Sequence, residues 1–174
     1  MSNNASKHAA IPAAAVIAIA TLSIPQSASA EQEGLEVVAT SKGEAGSGLE
    51  NSSLEVHTPQ RSKGSDYVSI SWTVKAQGGV FKSGQIQSKT YKYFQAGVTG
   101  VTATDEKSKI RYYPLQDTRK VCLCSGIHKP RGYILNVESG NLSTFWNSYM
   151  ISQDVKTVTL DVPGFKPAED IPIS

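Results

Sequence analysis

The stretch Tyr67–Ala76, "YVSISWTVKA", decides how this chain folds. Val68, Ile70, Trp72 and Val74 fall on one side of an extended backbone; Ser69, Ser71, Thr73 and Lys75 fall on the other. Side chains of a strand alternate between two faces, so this pattern is a half-buried strand with its oily side on a core. Trp72 is the candidate anchor of that core, because a large aromatic ring buries much apolar area.

Working outward, the same reading continues on both sides. "QSKTYKYF" (87–94) is β-rich. "VTGVTATDEKSKIRYYPL" (98–115) reads as two β arms around a polar turn near Asp105–Lys109. "RGYILNV" (131–137), "LSTFWNSYMI" (142–151) and "VKTVTLDV" (155–162) supply further strands, with the stretch around Trp146 open to a short helix. The closing "PGFKPAEDIPIS" holds three prolines, which oppose a helix there. About seven strands separated by turn signals predict an all-β, immunoglobulin-like antiparallel β-sandwich, ranked above a barrel.

The N-terminus has a different character. Lys7 and the amino group precede the apolar run "AAIPAAAVIAIATLSI" (9–24), and Ala28-Ser29-Ala30 offers small residues for a signal peptidase. Residues 1–30 therefore read as a signal peptide, and the run is short of the ~20 residues that span a bilayer. Localisation is accordingly secreted or extracytoplasmic, with no transmembrane anchor after cleavage. Residues 31–53 read as a flexible acidic Gly/Ser-rich leader, with "LEVVAT" (35–40) as a short piece able to pair as a strand. Residues 31–55 carry Glu31, Glu33, Glu36, Glu44, Glu50 and Glu55 against Lys42 alone, whereas 56–174 are basic by charge. The domain itself is read as 54–174.

The strand at "VSISWTVKAQGG" (68–79) and the hairpin "VTGVTATDEKSKIRYYPLQD" (98–117), with its exit through Tyr112, Tyr113 and Pro114, resemble telokin-like, immunoglobulin-like domains of bacterial secreted proteins and lipoproteins, many of them actinobacterial. The resemblance spans about Leu54 to Ser174. It implies a β-sandwich outside the cytoplasm and brings no catalytic motif with it. The chain departs from antibody-type domains in lacking two distant cysteines to bridge the sheets.

Its two cysteines, Cys122 and Cys124, stand one residue apart in "RKVCLCSGIH". Fully extended i and i+2 residues sit near the upper limit for a disulfide, and a bend brings them within reach; Ser125-Gly126 favours one. A loop disulfide is the leading reading. The alternative is a copper- or zinc-handling site, Cys122, Cys124 and His128 in a C-x-C-x3-H arrangement, using soft thiolates. Free thiols and redox roles complete the set, although no C-x-x-C is present.

Enzyme chemistry finds little footing. Beyond residue 30 there are two histidines, His57 and His128, and no G-x-S-x-G. "GGVFKSGQ" (78–85) has phosphate-loop glycine spacing, but Gln85 stands where the lysine belongs. The expectation is no catalytic residue and no cofactor. What remains is a binding surface: Lys89, Tyr91 and Tyr93 on one strand face, and Lys109, Arg111 and Tyr113 on the hairpin. Cations and rings side by side suit an anionic envelope polymer, with an unknown protein as the other class of partner. Nucleic acid is not expected of an exported chain.

Overall fold

Alternation of apolar and polar side chains organises the computed structural model, which describes residues 35–94, 97–126 and 136–173. Residues 1–30, read as a signal peptide, the first residues of the stretch read as a leader, His128 and most of "RGYILNV" lie outside those residues. Among the described residues there is no α-helix, and no helix long and apolar enough to cross a membrane. The strands are β1 (Val37–Lys42), β2 (Ser53–His57), β3 (Gln60–Arg61), β4 (Tyr67–Lys75), β5 (Phe81–Lys82), β6 (Thr102–Asp105), β7 (Ile110–Tyr112), β8 (Asn136–Val137), β9 (Leu142–Met150), β10 (Thr157–Asp161) and β11 (Ala168–Pro172). The pairing is antiparallel throughout.

One sheet is built around β4. Its nine residues pair with all nine of β9, from Tyr67↔Met150 to Lys75↔Leu142. On the other side β4 pairs with β2 and then β3, and β1 continues the sheet beyond β2. β2 and β3 are interrupted at Thr58-Pro59, and Pro59 has no N–H to give to a ladder. The region around Trp146 is strand, and its nine-residue match to β4 is what overrides any helical tendency.

The second sheet runs β11-β10-β6-β7. The hairpin read between 98 and 115 is β6 and β7, closed by Asp105↔Ile110. The two sheets join where Gly43 bridges Phe165, with Lys166 N–H donating to Lys42 O at 2.9 Å and Glu44 N–H to Gly164 O at 2.9 Å. Between them lie Val68, Ile70, Trp72 and Val74, all inaccessible, together with Leu160 and Ile171. Trp72 stacks on Phe145 at 4.6 Å and meets Phe81 edge-on at 6.0 Å; Phe81 in turn reaches Phe165. Its indole N–H donates to Asn147 Oδ1, and Asn147 Nδ2 donates to Val98 O, so this buried polar chain is fully paired.

The sheet begins well before residue 54. β1 occupies 37–42, inside the segment read as a flexible leader, and pairs with β2. Val38 and Ala39 pack against the core, which the segment's acidic, Gly/Ser-rich average conceals. The following loop is held too: the Glu50 carboxylate accepts N–H groups from Gly46 and Gly48, at φ of +80° and +76°. Its own backbone N–H, with those of Gly48 and Gly46, keeps that carboxyl below the usual carboxylate range.

Candidate functional site

The outer face of the second sheet carries the polar residues that matter. Antiparallel partners share a face, and Asp161 pairs with Thr102, Thr159 with Thr104, and Thr104 with Arg111. Tyr113, just beyond β7, continues the row of Thr102. Arg111 and Tyr113 on one flank, threonines in the middle and Asp161 on the other flank therefore follow from strand register alone. The opposite face of the same strands turns Val158, Leu160 and Ala103 into the core.

An arm from Gln85 to Phe94 forms the other wall. Read as a strand, this stretch is instead bent. The Ser88 hydroxyl accepts the N–H groups of Thr90 and Tyr91, a local side-chain bond that competes with a ladder. The arm is tied back to the sheet by Tyr91 against Tyr113, rings 4.7 Å apart and edge-on, and by Tyr93 Oη donating to Pro114 O at 2.7 Å. Between arm and sheet lies a groove of about 470 Å³ lined by Gln85, Gln87, Ser88, Lys89, Thr90, Thr102, Arg111, Tyr113 and Asp161, among others.

The six surface residues read from sequence are thus divided. Lys89, Arg111 and Tyr113 line the groove, and Tyr91 abuts it through Tyr113. Tyr93 turns inward: burial first, then the neighbouring phenols of Tyr91 and Tyr113, push its hydroxyl up to about 12. It is a strut of the arm rather than a contact surface. Lys109 sits in the hairpin turn at φ +59° and pairs with Glu106 at 2.8 Å, away from the groove lining. A turn residue has left the strand's alternation, which is why it does not share the face of Arg111. Sequence reasoning missed Asp161, Thr102 and Gln87. An acid at the outward position of "VTLDV" marks Asp161 as surface-facing, but its place beside Thr102 comes only from the pairing of β10 with β6.

Lys89, Arg111 and Asp161 take part in no ion pair among the described residues. Three charges around one groove are therefore uncommitted there, whereas Lys75 and Arg119 are paired with Glu55 and Asp117.

The cysteines lie elsewhere and are joined. Cys122 and Cys124 form a disulfide with Cα atoms 5.3 Å apart, both sulfurs buried. Bonded to each other, they supply no thiolate, and His128, the third member of the metal reading, lies outside the described residues. Their segment is a small ribbon laid on β9: Leu115 N–H donates to Ser148 O, Ser148 N–H to Leu123 O and Ser125 N–H to Trp146 O. Asp117 closes its turn, accepting the N–H groups of Arg119 and Val121. The Val121 N–H first, then Arg119, hold the Asp117 carboxyl below its usual range.

His57 is a structural histidine here, buried, with Nδ1 3.2 Å from Leu35 O and Nε2 2.7 Å from Thr73 Oγ1. Because Leu35 O only accepts, Nδ1 carries a proton, and Nε2 is left to accept from the Thr73 hydroxyl when the ring is neutral. The phosphate-loop lookalike at 78–85 ends in a single 3-10 turn, Ser83–Gln85. The chain matches no protein-family model, no curated protein and no solved structure.

Proposed function

We propose that this chain is a secreted, non-enzymatic immunoglobulin-like module that binds an anionic polymer at the cell envelope or outside the cell. The observation that carries the reading is the groove: Lys89 and Arg111 converge on it from separate segments, unpaired among the described residues, beside the Tyr113 ring. Two cations against one acid give the groove a positive balance, and uncommitted cations attract a polyanion without first giving up a partner. The signal-like N-terminus supports export, and a sandwich that offers end loops and sheet faces supports contact rather than turnover.

The test is direct. Charge reversal at both positions, Lys89→Glu with Arg111→Glu, abolishes retention on an immobilised polyanion. Wild-type binding weakens as salt rises, because exposed charges are screened. Unchanged retention by the double variant, at equal circular dichroism, sinks the reading.

A further inference from the structure

The groove is not uniformly cationic, and its asymmetry carries a narrower conclusion. Asp161 on β10 and the Arg111–Tyr113 flank on β7 stand two strand spacings apart, roughly 10 Å. Between them the floor is neutral: Thr102 lines it, and Gln87 faces it from the arm. A continuous row of anionic groups laid across this floor would place one of them against the Asp161 carboxylate. A neutral chain would leave Lys89 and Arg111 without counter-charges.

We infer that the ligand is a saccharide carrying an acidic substituent. Its carboxylate or phosphate sits between Lys89 and Arg111, accepting charge-assisted hydrogen bonds. Its ring hydroxyls donate to Asp161 and exchange bonds with Thr102 and Gln87, since a carboxylate accepts and an amide does both. The C–H face of the sugar rests on the Tyr113 ring, whose amphipathic character suits a partner that is apolar on one side. A volume of about 470 Å³ is within the range of a small-ligand site, so one short stretch of polymer fills it. This assignment rests on the anionic-polymer reading and refines it.

Four probes separate the two claims: a hyaluronan oligosaccharide, whose carboxylates fall on alternate sugars, a malto-oligosaccharide bearing a single phosphate, inorganic polyphosphate and a neutral dextran oligomer. Titration calorimetry on the wild-type chain should show one or both acidic saccharide probes binding at least about tenfold tighter than polyphosphate, and dextran not binding. The two acidic saccharide probes, compared with each other, tell carboxylate from phosphate. Asp161→Asn should weaken the saccharides, by removing an acceptor of their hydroxyls, while strengthening polyphosphate. If Asp161→Asn strengthens all anionic probes alike, or polyphosphate binds as well as the saccharides, the saccharide assignment is overturned and polyanion binding stands. If no anionic probe binds, both fail. Dextran binding with equal strength overturns the role of charge. Asp161 makes no ion pair among the described residues, so the variant should fold, which circular dichroism checks.

Discussion

The β4–β9 pair and the arm at 85–94 are both rich in alternating aromatic and polar residues, yet one is a ladder and the other is bent. In β4 the alternation has a partner: nine consecutive residues face nine of β9, and the apolar set meets a core. In the arm, "SKTYKYF" alternates equally well, but Ser88 captures the N–H groups of Thr90 and Tyr91, and the Tyr93 hydroxyl donates to Pro114 O. Period two describes where side chains can go. Whether a strand forms depends on a neighbour that pairs with it, and a serine in the first position is enough to divert a short segment.

That contrast can be broken most forcefully at Trp72. Replacing Trp72 with Ala removes a ring that is fully buried, stacked on Phe145 and bonded to Asn147. The loss should be about 3–5 kcal/mol, a large part of a domain's stability, seen as a lower denaturation midpoint. An equal loss from Tyr91→Ala would show that arm and sheet are not distinct in the way described.

Next in size is Gly43→Ala, at the junction of the two sheets. A Cβ there would stand 1.7 Å from Leu49 O, so the backbone of the 43–52 loop must shift. We expect a cost of about 3 kcal/mol by denaturant unfolding, against about 1 kcal/mol for the solvated Gly64→Ala, which meets no neighbour but must hold an alanine at a left-handed φ.

The double variant Cys122→Ser, Cys124→Ser should cost less. A ring closed across two residues of separation contributes about 1.5 kcal/mol of loop entropy, small beside the core. Amide hydrogen exchange should quicken in 115–125 and remain slow in β4. Quickening spread evenly through β4 would mean that the ribbon supports the sheet more than its bonds suggest.

The smallest effect sharpens the comparison through one tyrosine from each region. Tyr93 in the arm is pushed up to about 12, and Tyr149 in β9 is raised well above the ordinary phenol value by its complete burial. Both shifts favour the neutral phenol in the folded chain. The stability they contribute is therefore complete below the ordinary phenol value near pH 10 and is lost as pH rises through the folded values. Absorbance at alkaline pH should show Tyr93 ionising near pH 12 without unfolding, and Tyr149 ionising only with it. Ionisation of both together at pH 10 would contradict the burial of both.

Much of the architecture was legible because one physical signal, alternation over a buried face, repeats in Val68–Val74, Thr102–Asp105 and Thr157–Asp161. β1 was half legible: "LEVVAT" (35–40) reads as able to pair, but the glutamates and glycines around Val37–Lys42 dominate any local average, and only Val38 and Ala39 pack against the core. Of the groove, Lys89, Tyr91, Arg111 and Tyr113 were recognisable from residue type. Asp161 was not, because its place beside Thr102 depends on β10 pairing with β6 across more than fifty residues, and register between distant strands leaves no mark in either strand alone. Tyr93 and Lys109 were assigned to the surface by assuming strand geometry where Ser88 and the Asp105–Lys109 turn supply another.

The ribbon at 115–125 has a last consequence. By occupying the outward main-chain groups of Trp146 and Ser148, it leaves that part of the flanking strand no valence for an incoming chain. Such a guard keeps the strand from zipping to other copies of the chain at high concentration, and shortening this ribbon is the change we expect to promote fibre formation.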